Sequence, residues 1–327
     1  MLKTKFNSIS GENVVPTYHY GLKTGISRSK EFEKKGLAQF GINVGLSCGH
    51  QCSYCSSRAM FRCHAAFGKL GLNPFDDGYA IVDPETEARV KADAASKQKR
   101  GLVMLSTATD AWSPEARRFG LGRACAKAVL GEPGWQIRVL SKSAQIVNDF
   151  DLFEKYRDRV LVGLSTSFLP EDAEAASIVE PFADAPPERY RALLEAGSRG
   201  LRTYGMLCPM FPPFYNTYEK IERAFKLILP ARPEEIFVEP VNPRGRGLIR
   251  TADYLRRAGL ADKASAVDRL RKRKVWSRES RLLIERVAEV TDRVYERERL
   301  RVLLYGSNFS DSDRNALKKI KGGLVWL

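Results

Sequence analysis

Three of the chain's six cysteines fall within eight residues, in Cys48-Gly-His-Gln-Cys52-Ser-Tyr-Cys55. Thiolates this close on one loop can each bind a different iron of a cubane [4Fe-4S] cluster, leaving the fourth iron open to a substrate or cofactor. Zinc is the competing reading. A structural zinc wants four ligands, usually in paired C-x2-C spacing, and the candidates for the fourth here are His50, Cys63 and His64. Of the other cysteines, Cys125 sits among Ala124, Ala128 and Val129 and reads as a small core residue, and Cys63 as a packed or surface thiol. Six cysteines placed this unevenly do not make a disulfide framework.

The elements that must position the loop follow from the alternation of short apolar runs with longer amphipathic ones, the pattern of βα units around a parallel sheet. Six strands are expected: Phe40 to Ser47, Gly101 to Ser106, Trp135 to Ser141, Val160 to Thr166, Gly200 to Cys208 and Glu235 to Pro240. The cysteine loop directly follows the first. Ser113-Pro114-Glu115 starts a helix with Pro at its first position, and the helix Pro187 to Arg199 stops at Gly200. Six such units make an incomplete or full barrel. After Pro240 the turn-rich stretch to Gly247 breaks the pattern, and the Arg-rich segment Ala252 to Arg299 reads as helical, with a short strand Leu300 to Tyr305 after it. The expected division is a basic N-terminal segment (1–37), the barrel (38–249) and a basic, mainly helical C-terminal extension (250–327).

Cys48, Cys52 and Cys55, with Tyr54 before the last, resemble the signature of radical S-adenosylmethionine (SAM) enzymes. That resemblance implies a partial (βα)6 TIM-type barrel, a [4Fe-4S] cluster on the three cysteines, and SAM bound through its amino and carboxylate groups to the open iron. It also implies reductive cleavage of SAM to a 5′-deoxyadenosyl radical, and an electron donor such as flavodoxin or ferredoxin. Working groups in such barrels gather at the C-terminal strand ends. Here those ends are Ser106-Thr107-Ala108-Thr109-Asp110, Ser141-Lys142-Ser143, Ser165-Thr166-Ser167, and Glu239 with Asn242 beyond it. Ser, Thr and Asp are also ordinary residues at strand ends, so each alone has a plain structural explanation.

The longer stretches Ser106 to Glu115, Val139 to Ala144 and Leu164 to Ser167, with Glu180-Pro181, Glu188-Arg189-Tyr190 and Cys208-Pro209-Met210, resemble the spore photoproduct lyase-like branch. On that resemblance Lys142 and Ser165 contact SAM, and Tyr54, Thr109 and Glu239 complete its surroundings. One departure matters. The lyase's hydrogen-donating cysteine at the end of the second strand is matched here by Thr107, whose O–H bond is much harder to break homolytically, so repair of spore photoproduct itself is not expected. Cys208, ending the fifth strand beside Tyr204 and Met206, is the candidate hydrogen donor, with a buried structural cysteine as the alternative.

Charge points to the partner. The net charge is +15, and residues 1–35 contribute +4 and residues 250–327 contribute +9, leaving +2 for the 214 residues between. Positive charge gathered on two flanks fits a polyanion such as nucleic acid, though excess Lys and Arg also serve solubility. The densest run is Arg269-Leu-Arg-Lys-Arg-Lys-Val-Trp276-Ser-Arg278, where Trp276 could stack on a base. The turn Arg244-Gly-Arg246-Gly is a further phosphate contact, and His19, between Tyr18 and Tyr20, a further stacking candidate. No apolar run reaches the ~18 residues of a membrane span and the start lacks a signal-peptide core, which predicts a cytoplasmic protein. At 43% hydrophobic residues the chain can build a core, which excludes a disordered tail. The reading is a radical SAM enzyme acting on nucleic acid. The alternatives are a peptide or small-molecule substrate, or a non-catalytic iron–sulfur protein that binds nucleic acid.

Overall fold

The computed structural model describes residues 15–106 and 108–327. Residues 1–14 of the basic N-terminal segment and Thr107 therefore lie outside the described residues. The strands are β1 (Thr17–His19), β2 (Ser27–Arg28), β3 (Phe40–Ile42), β4 (Gly45–Ser47), β5 (Ala80–Val82), β6 (Leu102–Leu105), β7 (Gln136–Ser141), β8 (Val160–Ser165), β9 (Arg202–Met210), β10 (Ile236–Pro240), β11 (Leu300–Leu304) and β12 (Leu324–Trp326). Nine form one sheet in the order β12-β11-β10-β9-β8-β7-β6-β3-β2, and a smaller sheet has the order β1-β5-β4. In the large sheet every pairing from β3 to β12 is parallel, and only β2 runs antiparallel, against β3.

The large sheet is a partial barrel. β8 reads Val-Leu-Val-Gly-Leu-Ser and is buried throughout, as expected for a parallel strand covered on both faces. Met104, Leu161, Tyr204, Met206, Phe237 and Leu303 fill its interior, joined by Leu37 and Ala38 from the segment before β3. Gly163 makes room for the Tyr204 ring, since a Cβ there would come within 2.4 Å of it. The opposite face carries the larger core, under helices such as Leu121–Leu130 and Pro186–Ser198.

Five of the six expected strands appear with ends shifted by at most two residues. The first, expected as one strand Phe40 to Ser47, is two. The chain leaves the large sheet after Ile42 and enters the small one at Gly45, where β4 runs antiparallel to β5. Asn43 sits at the break, its side-chain oxygen accepting a hydrogen bond from the Ala108 amide at 2.8 Å. Gly45 permits the second pairing, because a Cβ there would lie 2.0 Å from the Ile81 carbonyl oxygen. The C-terminal segment is helical as expected, in Gly247–Arg257, Ala261–Arg269 and Arg273–Val294, and β11 and β12 then extend the same parallel sheet. Among the described residues no helix is long and apolar enough to cross a membrane.

Candidate active site at the carboxyl ends of the strands

The cysteine loop leaves β4 and is fixed before any ligand is considered. Gln51, at φ +52°, donates its amide to the carbonyls of Cys48 (2.7 Å) and Tyr79 (2.8 Å) and accepts from Arg58 (2.6 Å) and the Gly78 amide (2.9 Å). The Ser53 amide donates to the Val179 carbonyl at 2.9 Å, and its hydroxyl bonds that of Thr251 at 2.8 Å. Gly49 donates its amide to Glu115 at 2.9 Å, where a Cβ would lie 2.0 Å from the same carboxylate. Gly247, from the turn after β10, packs on the Tyr54 carbonyl at a distance that excludes a Cβ.

Cys48, Cys52 and Cys55 are free thiols that line one cavity of about 160 Å³. Burial pushes the Cys48 thiol well above its usual range, with the Glu115 and Asp110 carboxylates adding to the effect. Burial, then Glu180, pushes Cys52 up to about 12. Burial thus favours the protonated form of Cys48 and Cys52 until a cation takes the place of their protons, as for soft metal sites generally. His50 is buried with both ring nitrogens engaged, Nδ1 with the Phe182 carbonyl (2.9 Å) and Nε2 with Asp110 (3.0 Å). His64 accepts the Ala66 amide at 3.2 Å and so caps the helix Ala65–Leu70, and Cys63 is exposed. The fourth ligand that zinc requires is therefore not supplied by His50. Among the described residues no three His, Cys, Asp or Glu side chains converge on a single ion position. A cubane, taking each thiolate on a different iron, does not ask for that convergence.

Two buried carboxylates tie the loop to the barrel. Asp110 accepts from His50, from the Ser141 hydroxyl (2.9 Å) and from the amides of Trp112 (2.9 Å) and Lys142 (2.7 Å). Burial alone would raise its carboxyl, but His50 and these donors hold it below the usual range. Glu180 accepts from the Tyr54 hydroxyl and from Arg189, whose second nitrogen donates to the Ser165 carbonyl at 2.7 Å. Lys142 Nζ donates to Ser165 Oγ at 2.5 Å and lies 3.9 Å from Glu180. With Arg189 balancing Glu180, the ammonium of Lys142 is left as net positive charge at the cavity wall. The buried hydroxyl of Thr109, in the same wall, has no hydrogen-bond partner.

A second cavity of about 250 Å³ adjoins the first and shares Tyr54, Cys55, Lys142 and Ser165 with it. The sequence-derived residues thus divide. Tyr54, Thr109, Lys142 and Ser165 line the cavity of the thiols, whereas Cys208 and Glu239 line the second, with Asn242 and Lys35. Burial raises both the Cys208 thiol and the Glu239 carboxyl, and Lys35 opposes the rise at Glu239. Asp110, Lys35 and the pairing of Glu180 with Arg189 were not picked out as site residues by sequence. A sequence signal for the last existed, since Glu180-Pro181 and Glu188-Arg189-Tyr190 both lie in the stretches that carry the resemblance.

The flanks differ from expectation in one respect. Trp276 is buried, donates to the Val241 carbonyl at 2.8 Å and packs on Phe309, so it is not exposed for base stacking. His19 packs edge-on against Phe119 at 5.3 Å. Residues 271–274 are exposed. The side chains of Arg244 and Arg273 both bond Ser307, at 3.1 and 2.9 Å, which joins the turn after β10 to the basic run.

No family model matches the chain. It is 25% identical over 213 residues to an uncharacterized protein of Acidianus two-tailed virus, covering 63% of this chain and 68% of that one. It is 26% identical over 175 residues to an uncharacterized protein of Methanocaldococcus jannaschii, covering 54% of this chain and 61% of the other. Among solved structures, a cysteine-to-serine mutant of spore photoproduct lyase superposes with a TM-score of 0.51 over 73% of this chain. The chain has a spore photoproduct lyase-like fold. A cysteine-to-alanine mutant of the lyase with dinucleoside spore photoproduct gives a TM-score of 0.50. Identity to both is 12%, so the likeness speaks for the fold, and the match spans 66% and 65% of those chains, just under two thirds.

Proposed function

We propose that this chain is a radical SAM enzyme whose substrate is a nucleic acid. The observation that carries the proposal is the convergence on one cavity of three free thiols, the ammonium of Lys142 and the unpartnered hydroxyl of Thr109. That donor set fits both groups the reading needs. Thiolates suit an iron–sulfur cluster, and a cation beside hydroxyls suits the amino-acid end of SAM. Cys48, Cys52 and Cys55 would hold the [4Fe-4S] cluster, which when bound supplies the electron that cleaves SAM to methionine and a 5′-deoxyadenosyl radical. Lys142 pairs with the SAM carboxylate and Ser165 orients Lys142. Glu180 and Arg189 lock Tyr54, and with it the loop, against the barrel. The adjoining cavity receives the substrate, with Glu239 in its wall and Cys208 placed to donate a hydrogen atom. The apolar interior beneath keeps water from the reacting centre.

The nucleic-acid substrate is supported by the exposed residues 271–274 and by the Arg244–Arg273 junction. The similar lyase structure with dinucleoside spore photoproduct makes such a substrate compatible with the fold. Because the sequence resemblance matches Thr107 to the lyase's cysteine, the proposed reaction is one other than spore photoproduct repair. An electron carrier of the flavodoxin or ferredoxin type is the expected reductant. The test is anaerobic reconstitution with iron and sulfide, addition of SAM and a strong reductant, and mass-spectrometric detection of 5′-deoxyadenosine with and without DNA or RNA oligonucleotides. Salt-sensitive stimulation by an oligonucleotide supports the nucleic-acid reading, whereas release that no oligonucleotide alters points to a peptide or small molecule. A loaded cluster with no release under any condition leaves the non-catalytic reading.

A further inference from the structure

The amino ends of the barrel strands form a second charged site, remote from the cysteine loop. A cavity of about 370 Å³ is lined by the first residues of β6 to β11 and the residues just before them. Five arginines (Arg138, Arg159, Arg202, Arg299 and Arg301) face two glutamates there, Glu234 and Glu235. Arg202 takes Glu234 in a two-bond fork at 2.6 and 2.9 Å, while Glu235 is shared by Arg138 at 3.1 Å and Arg301 at 3.4 Å. Arg159 and Arg299 bond backbone carbonyls and gain no carboxylate within this cavity. Arg299 also reaches Glu296, just outside the cavity, at 3.4 Å, so the site carries two positive charges more than it balances.

Arg138 makes this more than a surface cluster. It is only 4% exposed and lies flat beneath the aromatic interior, its guanidinium carbon 4.7 Å from the Tyr204 ring centre and 5.3 Å from that of Phe237. Nε and one Nη of this guanidinium are buried without a hydrogen-bond partner. A buried charged donor left unmatched is costly, and natural cores rarely keep one. Guanidinium forks match phosphate oxygens in pairs, and a cavity of this size is in the ~300–1,000 Å³ range of small-molecule sites.

We propose that the barrel floor binds a small polyphosphate anion, with Arg138 at the bottom of the site and Arg299 and Arg301 at its rim. The excess of two positive charges, with the unmatched donors of Arg138, matches a diphosphate or triphosphate better than a single carboxylate. The floor site needs neither cluster nor SAM, so its failure and that of the radical reading are separate results.

The test is isothermal titration calorimetry of the full chain with sodium diphosphate at fixed ionic strength, before and after cluster reconstitution. Saturable one-to-one binding is expected in both states, with a rise in melting temperature that tracks occupancy. Arg301→Gln should weaken binding roughly tenfold, as should Arg299→Gln, each losing charge-assisted bonds. Lys69→Gln, on the exposed face of the helix Ala65–Leu70 that follows the cysteine loop, should bind as the native chain does. Because Arg138 is buried, its loss could unfold the protein, so the two rim variants carry the test. Adenosine triphosphate binding more tightly than diphosphate would identify the anion as a nucleotide, and the reverse order as inorganic. Absence of saturable heat with both, or equal weakening by Lys69→Gln and Arg301→Gln, would overturn the proposal.

Discussion

At the carboxyl ends of the strands Asp110 accepts hydrogen bonds from four residues and Glu180 is matched by Arg189 and Tyr54, whereas at the amino ends Arg138 leaves two guanidinium nitrogens unmatched. Both regions bury charge. At the mouth most of the buried charges satisfy one another and hold a loop in place, although Arg189 Nε and Glu115 Oε2 keep no partner, and the cavity wall there carries three thiols, one ammonium and one free hydroxyl. On the floor the charges do not cancel. The difference separates a framework, whose polar groups are consumed internally, from a surface prepared for an anion.

Four substitutions would break or sharpen that contrast. Cys52→Ala should abolish cluster assembly, read as iron and sulfide content after anaerobic reconstitution, while diphosphate binding at the floor is retained. Asp110→Ala removes the acceptor shared by four donors in a buried site, and a loss of about 3–5 kcal/mol is expected in urea denaturation of the apo-protein. Gly163→Ala drives a methyl group into Tyr204, the residue between mouth and floor, and should cost about 1–3 kcal/mol by the same measurement. Lys142→Ala should leave iron content unchanged and weaken SAM roughly tenfold or more in equilibrium dialysis with the loaded protein. An unaltered SAM affinity would remove Lys142 from the site.

Much of the mouth was legible in the sequence because its signals are local. The cysteine spacing, the apolar runs of β7 to β10 and the polar residues that end them sit within a few positions of one another. What escaped depends on contacts between distant segments. The break between β3 and β4 requires the close approach of Gly45 to Ile81. His50 meets Asp110 across 60 residues, and this removes it both as a zinc ligand and as a solvent-facing side chain. Trp276 reads as part of a basic surface run, but the first turn of the helix Arg273–Val294 points the ring inward onto Phe309. The floor arginines are scattered from position 138 to 301 and resemble ordinary charged residues until parallel pairing aligns the starts of their strands.

The most direct test of the central claim is electron paramagnetic resonance of the anaerobically reconstituted, reduced chain, with iron quantified on the same sample, before and after SAM is added. Four irons per chain, a reduced-cluster signal that changes on addition of SAM, and neither feature in Cys52→Ala are predicted. Zinc in place of iron, or a cluster signal indifferent to saturating SAM, would contradict the assignment of this cavity to radical SAM chemistry.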